Sequence, residues 1–213
     1  MPITKKNIIF DLDGTLIDSA SSILAAFSHV FKLNHIQPIE RLSSSLIGPP
    51  LATTLKLLSG ISDKKKLQLM TADFKTYYDL EGCVLCKPYE EVGEGLKVLA
   101  KSGFGLHIAT NKRYTPTLKI LKHLGWNALF TSVYTLDQNG ACFKSKSEMI
   151  KRQMNDLCLS ADQIIYVGDK EEDMEAARNN KLKFVGVSWG YGEFPEDVIV
   201  IKCFSQLDFI LSK

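Results

Sequence analysis

Two patterns of apolar residues divide the chain. Residues 7–11 contain a short apolar run, "IIF", that turn residues bound, and this predicts a buried strand. Beyond residue 16, apolar residues recur at helical spacing in two stripes: Ala20, Ile23, Leu24, Phe27, Val30 and Phe31, then Leu67, Met70, Phe74, Tyr77 and Tyr78. Between the stripes, Pro49 and Pro50 suit the start of a helix. Residues 16 to about 82 are therefore predicted to be helical.

From residue 90 the pattern alternates between helix and strand. Strands are predicted at 105–110, 130–136, 163–169, 183–188 and 198–201, and helices at about 90–101, 114–124, 146–158 and 172–179 and at the C-terminus. Such alternation predicts an α/β fold with a parallel sheet that helices cover on both faces. We expect an α/β core from residues 1–15 and 86–213, interrupted by an all-helical cap from residues 16–85.

The composition of the 213 residues is 45% hydrophobic and 23% charged, with a formal net charge of +2. This near balance indicates neither a nucleic-acid nor a membrane partner. Without a membrane-length apolar run or a signal-peptide core, we expect a cytoplasmic protein. We also expect a monomer or a weak homodimer. Five cysteines at irregular spacing do not form a disulfide framework, although Cys83 and Cys86 leave a redox pair open.

Polar side chains follow several predicted strands at the point where each strand ends. In an open parallel sheet, ligands bind at this carboxyl edge. The residues expected there are Asp11 and Asp13 after the first strand, Thr110 and Asn111 after the second, Asp169 and Asp173 after a later one, and Lys144 or Lys146 from the segment "ACFKSKS". Each residue alone is compatible with an ordinary turn, helix cap or surface lysine, but their joint occurrence in order favours one site.

The chemistry that these residues share is phosphoryl transfer. Asp11, Asp13 and Asp169 offer the oxygen ligands that Mg²⁺ prefers. One carboxylate can attack phosphorus, and a second acid two residues away can move protons to and from the leaving group and water. We expect Thr110 and the loop amides around Gly14 to hold the phosphoryl oxygens, and Lys144 to offset their charge.

Four segments carry a family resemblance: "DLDGTLIDS" (11–19), "ATNK" (109–112), the segment of Lys144, and "GDKEED" (168–173). In this order they resemble the motifs of the haloacid dehalogenase superfamily. The segments "GPPL" (48–51) and "TNK" resemble its phosphoglycolate-phosphatase-like branch. The resemblance implies a Rossmann-like core, a helical cap, and a Mg²⁺-dependent phosphatase of a small phosphorylated metabolite that works through an aspartyl-phosphate.

The resemblance also implies a role for each matching residue. Asp11 would be the nucleophile and Asp13 the general acid and base, while Thr110 and Lys144 would bind and stabilise the phosphoryl group. Gly14 and Asn111 are further expected to bind substrate. The Mg²⁺ ligands would be Asp11, Asp169 and the main-chain carbonyl of Asp13, with Asp173 in support.

One segment departs from the branch. The lysine of the third motif is usually followed by proline, whereas this chain has "KSKS", so Lys146 competes with the preferred Lys144. Two other functions stay open on the same fold: a phosphomutase that shields the aspartyl-phosphate from water, and a non-catalytic module that binds a phosphorylated ligand.

Overall fold

The computed structural model describes residues 7–43, 46, 51–138 and 143–211. Its chain divides into two compact units, one formed by residues 1–18 and 87–213 and the other by residues 19–86. Pro49 and Pro50, the predicted helix start, lie outside the described residues. Within the described part of the chain, no helix is both long and apolar enough to span a membrane.

The first unit is built on a parallel six-stranded sheet. Its strands are β1 (Asn7–Phe10), β4 (Gly105–Thr110), β5 (Ser132–Thr135), β6 (Ile164–Gly168), β7 (Lys183–Val187) and β8 (Val200–Ile201), in the spatial order β5-β4-β1-β6-β7-β8. The strand β1 lies between β4 and β6, with Phe10 opposite both Ile108 and Val167. Its continuous apolar run is explained by this central place, because both faces of such a strand are buried. This sheet confirms the predicted α/β class.

The helices of the first unit follow its strands. They are α4 (Val92–Lys101), α5 (Tyr114–His123), α6 (Lys146–Asp156), α7 (Glu171–Asn179) and α8 (Gln206–Leu211). One core cluster packs Ile150 of α6 and Ala177 of α7 against Ile9 and Tyr166 of the sheet. The packing of α6 and α7 on the sheet places the first residues of both helices near the carboxyl edge of the strands.

The second unit is helical. It contains α1 (Ala20–Leu33), α2 (Leu51–Ser59), α3 (Lys64–Leu80) and a short 3-10 helix at Gly82–Leu85. The predicted apolar stripes supply buried residues to its helices, among them Phe27 and Phe74, whose rings lie 4.9 Å apart. Asp63 caps α3 by accepting a hydrogen bond from the Lys66 amide.

The prediction that the helical region starts at residue 16 was wrong by a few residues. Ile17–Asp18 forms a two-residue strand, β2, that pairs antiparallel with β3 (Lys87–Pro88). Ile17 lies opposite Pro88, and Asp18 lies opposite Lys87. The chain thus enters and leaves the helical unit through two paired strands that belong to the sheet-containing unit.

Candidate active site

The candidate site lies at the carboxyl edge of three neighbouring strands. Asp11 follows β1, Thr110 ends β4, and Asp169 follows β6. Chain connections run from β1 outward in both directions, to β4 and β5 on one side and to β6, β7 and β8 on the other. Such a switch point opens a crevice in parallel α/β sheets, and ligands bind there.

A buried lysine joins two of the predicted aspartates. The Lys146 ammonium donates to Asp11 Oδ1 at 2.8 Å and to Asp173 Oδ1 at 2.6 Å. All three residues are buried, with Lys146 and Asp11 each 4% exposed and Asp173 not exposed at all. Ion pairs in such surroundings are strong only where their hydrogen bonds are satisfied, which is the case for this lysine with two acceptors.

The preference for Lys144 over Lys146 was wrong, because Lys146 is the lysine whose side chain reaches Asp11. Helix α6 starts at Lys146, with Ser145 as its N-cap accepting a hydrogen bond from the Glu148 amide. Lys146 therefore lies on the first helical turn, where its side chain extends to Asp11. Lys144 precedes the cap and is exposed, and its main-chain amide donates to Glu148 Oε2 at 2.8 Å.

Both carboxylate oxygens of Asp173 are used inside the protein. Oδ1 accepts from Lys146 and from the Tyr166 hydroxyl, the latter at 2.9 Å. Oδ2 accepts from the main-chain amides of Asp169 at 3.1 Å and of Lys170 at 3.0 Å. Asp173 thus holds Lys146 and the turn at Asp169 in place, and its expected support of a metal ion stays a prediction.

Asp169 is enclosed by glycines and by the loop that follows β7. Its Oδ2 accepts from the Tyr191 amide at 2.9 Å, and its Oδ1 accepts from the Thr15 hydroxyl at 3.3 Å. A Cβ on Gly14 would lie 2.2 Å from Asp169 Oδ2, and a Cβ on Gly190 would lie 2.2 Å from the Asp169 Cβ. These approaches require glycine at both positions, because any side chain would displace the Asp169 carboxylate.

Several of the loop amides around Gly14, which were expected to hold the phosphoryl oxygens, are hydrogen-bonded within the turn, and phosphoryl binding by this loop stays a prediction. Gly14 has a φ of +89° and donates its amide to the carbonyl of Ile17 at 2.9 Å. The amides of Thr15 and Leu16 donate to the carbonyl of Leu12. The turn consumes these donors, so Gly14 serves the site through its missing side chain and its left-handed backbone.

Asp13 pairs with a lysine that the sequence analysis did not assign. Lys112 Nζ lies 2.8 Å from each carboxylate oxygen of Asp13. The Lys112 side chain is 6% exposed and that of Asp13 is 22% exposed. The amide of Lys112 donates to the hydroxyl of the buried Thr110 at 3.2 Å. Thr110 and Asp13 are therefore connected through one residue.

Asn111 lies beside these residues and contacts helix α7. Its side-chain nitrogen donates to the two carboxylate oxygens of Glu172 at 2.8 and 3.0 Å. This contact orients the amide so that its oxygen points away from Glu172. Substrate binding by Asn111 stays a prediction.

Burial sets the charges of the site. It raises the pKa of Asp11 to about 7, against the opposing effect of the Lys146 charge, and the charges of Asp173 and Asp169 add to the rise. Burial also raises the pKa of Asp169 to about 6. Burial alone would lower the pKa of Lys146, but the charges of Asp11 and Asp173 outweigh it and hold that pKa well above its usual range.

The acidic cluster fits a divalent cation. One carboxylate oxygen from each of Asp11, Asp169 and Asp173 lies within 4.8 Å of the others. The cluster holds three carboxylates and one ammonium, which contacts only Asp11 and Asp173, so it lacks positive charge, in keeping with the raised pKa values of Asp11 and Asp169. Each Asp173 oxygen already accepts two hydrogen bonds, whereas each Asp169 oxygen accepts one and Asp11 accepts at Oδ1, which leaves Asp11 and Asp169 as the better ligands. The Asp13 carboxylate is not part of this cluster, and the resemblance assigns to the metal only its main-chain carbonyl.

Sequence reasoning missed several contacts for which weak signals existed. Lys112 follows the assigned Thr110 by two residues, and a lysine so close to a strand end is within reach of the neighbouring strand's carboxylate. Tyr166 lies inside a buried strand, where its hydroxyl needs a partner. The residues of the Trp189–Gly192 loop lie at least twenty positions beyond Asp169 in the chain, and no local pattern links them to it.

The comparisons with known proteins agree with this geometry. The model of the haloacid dehalogenase-like hydrolase family matches residues 8–187. The chain belongs to this family. The match spans every strand of the parallel sheet except the two-residue β8, and all four motifs.

Similar family members differ in the activities that their names state. The chain is 31% identical over 189 residues to the tyrosine-protein kinase PtkA of Mycobacterium tuberculosis, across 87% of this chain but only 62% of that protein's length. It is 32% identical over 193 residues to the pyrophosphatase PpaX of Halalkalibacterium halodurans, covering 90% of this chain and 86% of the relative.

A solved structure extends the likeness to three dimensions. The crystal structure of a predicted phosphatase from Clostridium acetobutylicum superimposes with a TM-score of 0.79 at 29% identity. The superposition covers 98% of this chain and 99% of that one. The fold resemblance to haloacid dehalogenase-like hydrolases therefore includes both units of the chain.

Proposed function

We propose that the protein is a Mg²⁺-dependent phosphatase that hydrolyses a small phosphomonoester through an aspartyl-phosphate. The observation that supports it most is the buried contact of Lys146 with Asp11, at the switch point of a sheet of this family. A carboxylate in this place can attack phosphorus, and the adjacent ammonium can stabilise the oxygens that gain charge.

The residues would divide the reaction as follows. The Asp11 oxygen that does not contact Lys146 forms a bond to phosphorus while the bond from phosphorus to the leaving oxygen breaks. Asp13 donates a proton to that leaving oxygen. Asp13 then removes a proton from water, the water oxygen bonds to phosphorus, and the bond to Asp11 breaks to release inorganic phosphate.

Other residues would prepare the site for this chemistry. The Thr110 hydroxyl, at the end of β4, would donate to a phosphoryl oxygen, and Asp173 would hold Lys146 in place. Asp11 and Asp169, with the Asp13 carbonyl, would hold Mg²⁺. When bound, the ion supplies positive charge that offsets the phosphate and its carboxylate nucleophile.

The leaving group is the open part of the proposal. The relatives' names range from a pyrophosphatase to a tyrosine kinase, and a further relative, from Agrobacterium fabrum, is named a phosphoglycolate phosphatase. These activities share transfer of a phosphoryl group and differ in the group to which it is attached. We therefore propose a small phosphorylated metabolite without naming it.

The test is phosphate release with Mg²⁺ from p-nitrophenyl phosphate, phosphoglycolate, pyrophosphate and a nucleoside 5′-phosphate. We expect release by the native protein and a loss of at least about 10³-fold in Asp11→Asn, because the amide is not a nucleophile. Asp162→Asn is the matched control, since Asp162 is exposed and precedes β6 at the opposite edge of the sheet.

Two outcomes would contradict the proposal. Equal phosphate release by native protein and Asp11→Asn would exclude Asp11 as nucleophile. No release from any ester, together with a stable phosphorylated protein, would favour the phosphomutase alternative.

A further inference from the structure

We propose that Lys112 is a positioning residue that holds the Asp13 carboxylate in place for proton transfer. The inference rests on the proposed function. Its basis is the contact in which the Lys112 ammonium lies 2.8 Å from each carboxylate oxygen of Asp13. The motifs assign Thr110 and Asn111 in this segment and give no role to Lys112.

The main chain fixes where Lys112 starts. Lys112 lies two residues beyond the end of β4, and its amide donates to the Thr110 hydroxyl at 3.2 Å. The strand β4 pairs directly with β1, from which Asp13 follows. The lysine side chain therefore spans from one strand end to the next, and its origin is tied to the residue expected to bind phosphate.

The surroundings separate this contact from an ordinary surface ion pair. Exposed lysine–carboxylate pairs are mobile and contribute little. Here the lysine side chain is 6% exposed, whereas the carboxylate it binds is 22% exposed. The cation is enclosed and the acid keeps an accessible side, which is the arrangement needed to orient a proton donor toward a ligand.

Each lysine of the site then contacts one of the two aspartates proposed to take part in the reaction, Asp11 and Asp13. Lys146 contacts Asp11 and Asp173, and Lys112 contacts Asp13. Orientation of a proton-transferring group contributes about 10²–10⁴-fold to a rate. Most of this factor should be lost when Asp13 is present but free to rotate.

The dependence on the leaving group provides the test. An alkyl phosphate such as phosphoglycolate needs a proton on its departing oxygen, whereas p-nitrophenolate departs without one. For Lys112→Met, we expect kcat/KM to fall about 10²-fold on phosphoglycolate, or on the best alkyl ester of the panel, and less than about fivefold on p-nitrophenyl phosphate. The ratio kcat/KM is chosen because it reports the first transfer step and not the later attack of water.

Four further variants sharpen the result. Asp13→Asn should show the same selective loss, and the double variant should lose little more than Asp13→Asn alone, because the contribution of Lys112 to proton transfer requires Asp13. Lys112→Arg retains a donor fork for the carboxylate and should keep alkyl-ester activity within about tenfold of native. Lys122→Met, at an exposed lysine on α5, should match the native protein.

The contrary outcomes are distinct. An equal loss of kcat/KM on both esters, or a raised KM with unchanged kcat, would overturn the assignment, since it would mean that Lys112 binds the phosphoryl group itself. Additive losses in the double variant would also overturn it. A native protein that hydrolyses no ester would overturn the proposed function, and this assignment with it.

Discussion

Two lysine–aspartate contacts lie at the same edge of the sheet, and they differ in their surroundings more than in their geometry. In the inner contact, Lys146 lies 2.8 Å from Asp11 and 2.6 Å from Asp173. In the outer contact, Lys112 lies 2.8 Å from Asp13. The inner side chains are at most 6% exposed, whereas the Asp13 side chain is 22% exposed.

This difference shows how burial changes what an ion pair does. When one partner of a buried pair is removed, the other is left charged without solvent, at a cost of about 3–5 kcal/mol. When Lys112 is the partner removed, water can reach the remaining Asp13 carboxylate, whose side chain is 22% exposed, so the cost is smaller. We expect the inner contact to support both stability and chemistry, and the outer one to affect chemistry with little effect on stability.

The largest effect on the inner contact is expected for Lys146→Met. The change keeps most of the side-chain volume and removes the charge between Asp11 and Asp173. We expect the free energy of unfolding to fall by about 3–5 kcal/mol. Phosphatase activity should fall by at least about 10²-fold, since one stabilising donor is lost. Chemical denaturation and phosphate release measure the two effects.

Lys144→Met is the matched control, two residues earlier in the same segment. Lys144 is exposed, so both stability and activity should stay close to native, with a change within about 0.5 kcal/mol. The reverse result, with Lys144 essential and Lys146 dispensable, would contradict the position that the structure gives to the two lysines.

This pair of lysines also shows how far a sequence can specify a site. The segments that carry Asp11, Thr110 and Asp169 could be predicted, because each follows an apolar run that forms a strand. The choice between Lys144 and Lys146 depended on the residue at which helix α6 begins. Helix starts are uncertain by one or two residues in a sequence, and a shift of two residues carries a side chain from the site to solvent.

The pH dependence of stability sharpens the comparison for the inner contact. Burial raises the pKa of Asp11 to about 7, above its ordinary value of 3.8. Between about pH 4 and 7 the folded state therefore holds a proton that the unfolded state has lost, so stability falls as pH rises toward 7 and levels off above it. Without metal, we expect the free energy of unfolding to fall by about 1–2 kcal/mol between pH 6 and 8, most of it below pH 7, measured by chemical denaturation in EDTA.

Magnesium and two controls test this prediction. Mg²⁺ should stabilise the protein more at pH 8 than at pH 6, because binding requires ionised carboxylates. Asp11→Asn should lack most of the pH-dependent loss. The buried His107, whose pKa burial lowers to about 4, acts in the opposite direction and only below pH 6.5. A metal-free stability that rises from pH 6.5 to 8 would contradict the prediction.

The contacts that sequence reasoning missed are those between distant segments. Asp169 and Tyr191 are joined by a main-chain amide, a donor that every residue except proline carries. The Asp13–Lys112 pair joins segments 99 residues apart in the chain. Periodicity reports which face of an element is buried, but it does not report which polar groups meet when two strand ends become neighbours.

The smallest expected effect comes from Tyr166→Phe, which removes one support of the inner contact. The Tyr166 hydroxyl donates to Asp173 Oδ1, and Asp173 keeps Lys146 and two main-chain amides as partners. We expect a loss of about 1–2 kcal/mol in the free energy of unfolding, because one buried hydrogen bond is removed. Activity should fall less than tenfold. We expect only a small displacement of Lys146, which would raise the activation free energy by less than about 1.4 kcal/mol, the equivalent of a tenfold change in rate.

Tyr134→Phe is the matched control for this change. Its hydroxyl also donates to an aspartate, Asp156, but at an exposed position away from the site. Loss of that bond should change stability by less than about 0.5 kcal/mol and leave activity unchanged. If the two variants proved equally stable and equally active, burial would not distinguish the two hydroxyl–carboxylate contacts. The inner cluster would then be held by Lys146 and the main-chain amides alone. The difference between the inner and outer contacts would depend on Lys146 itself and not on the Tyr166 hydroxyl that supports it through Asp173.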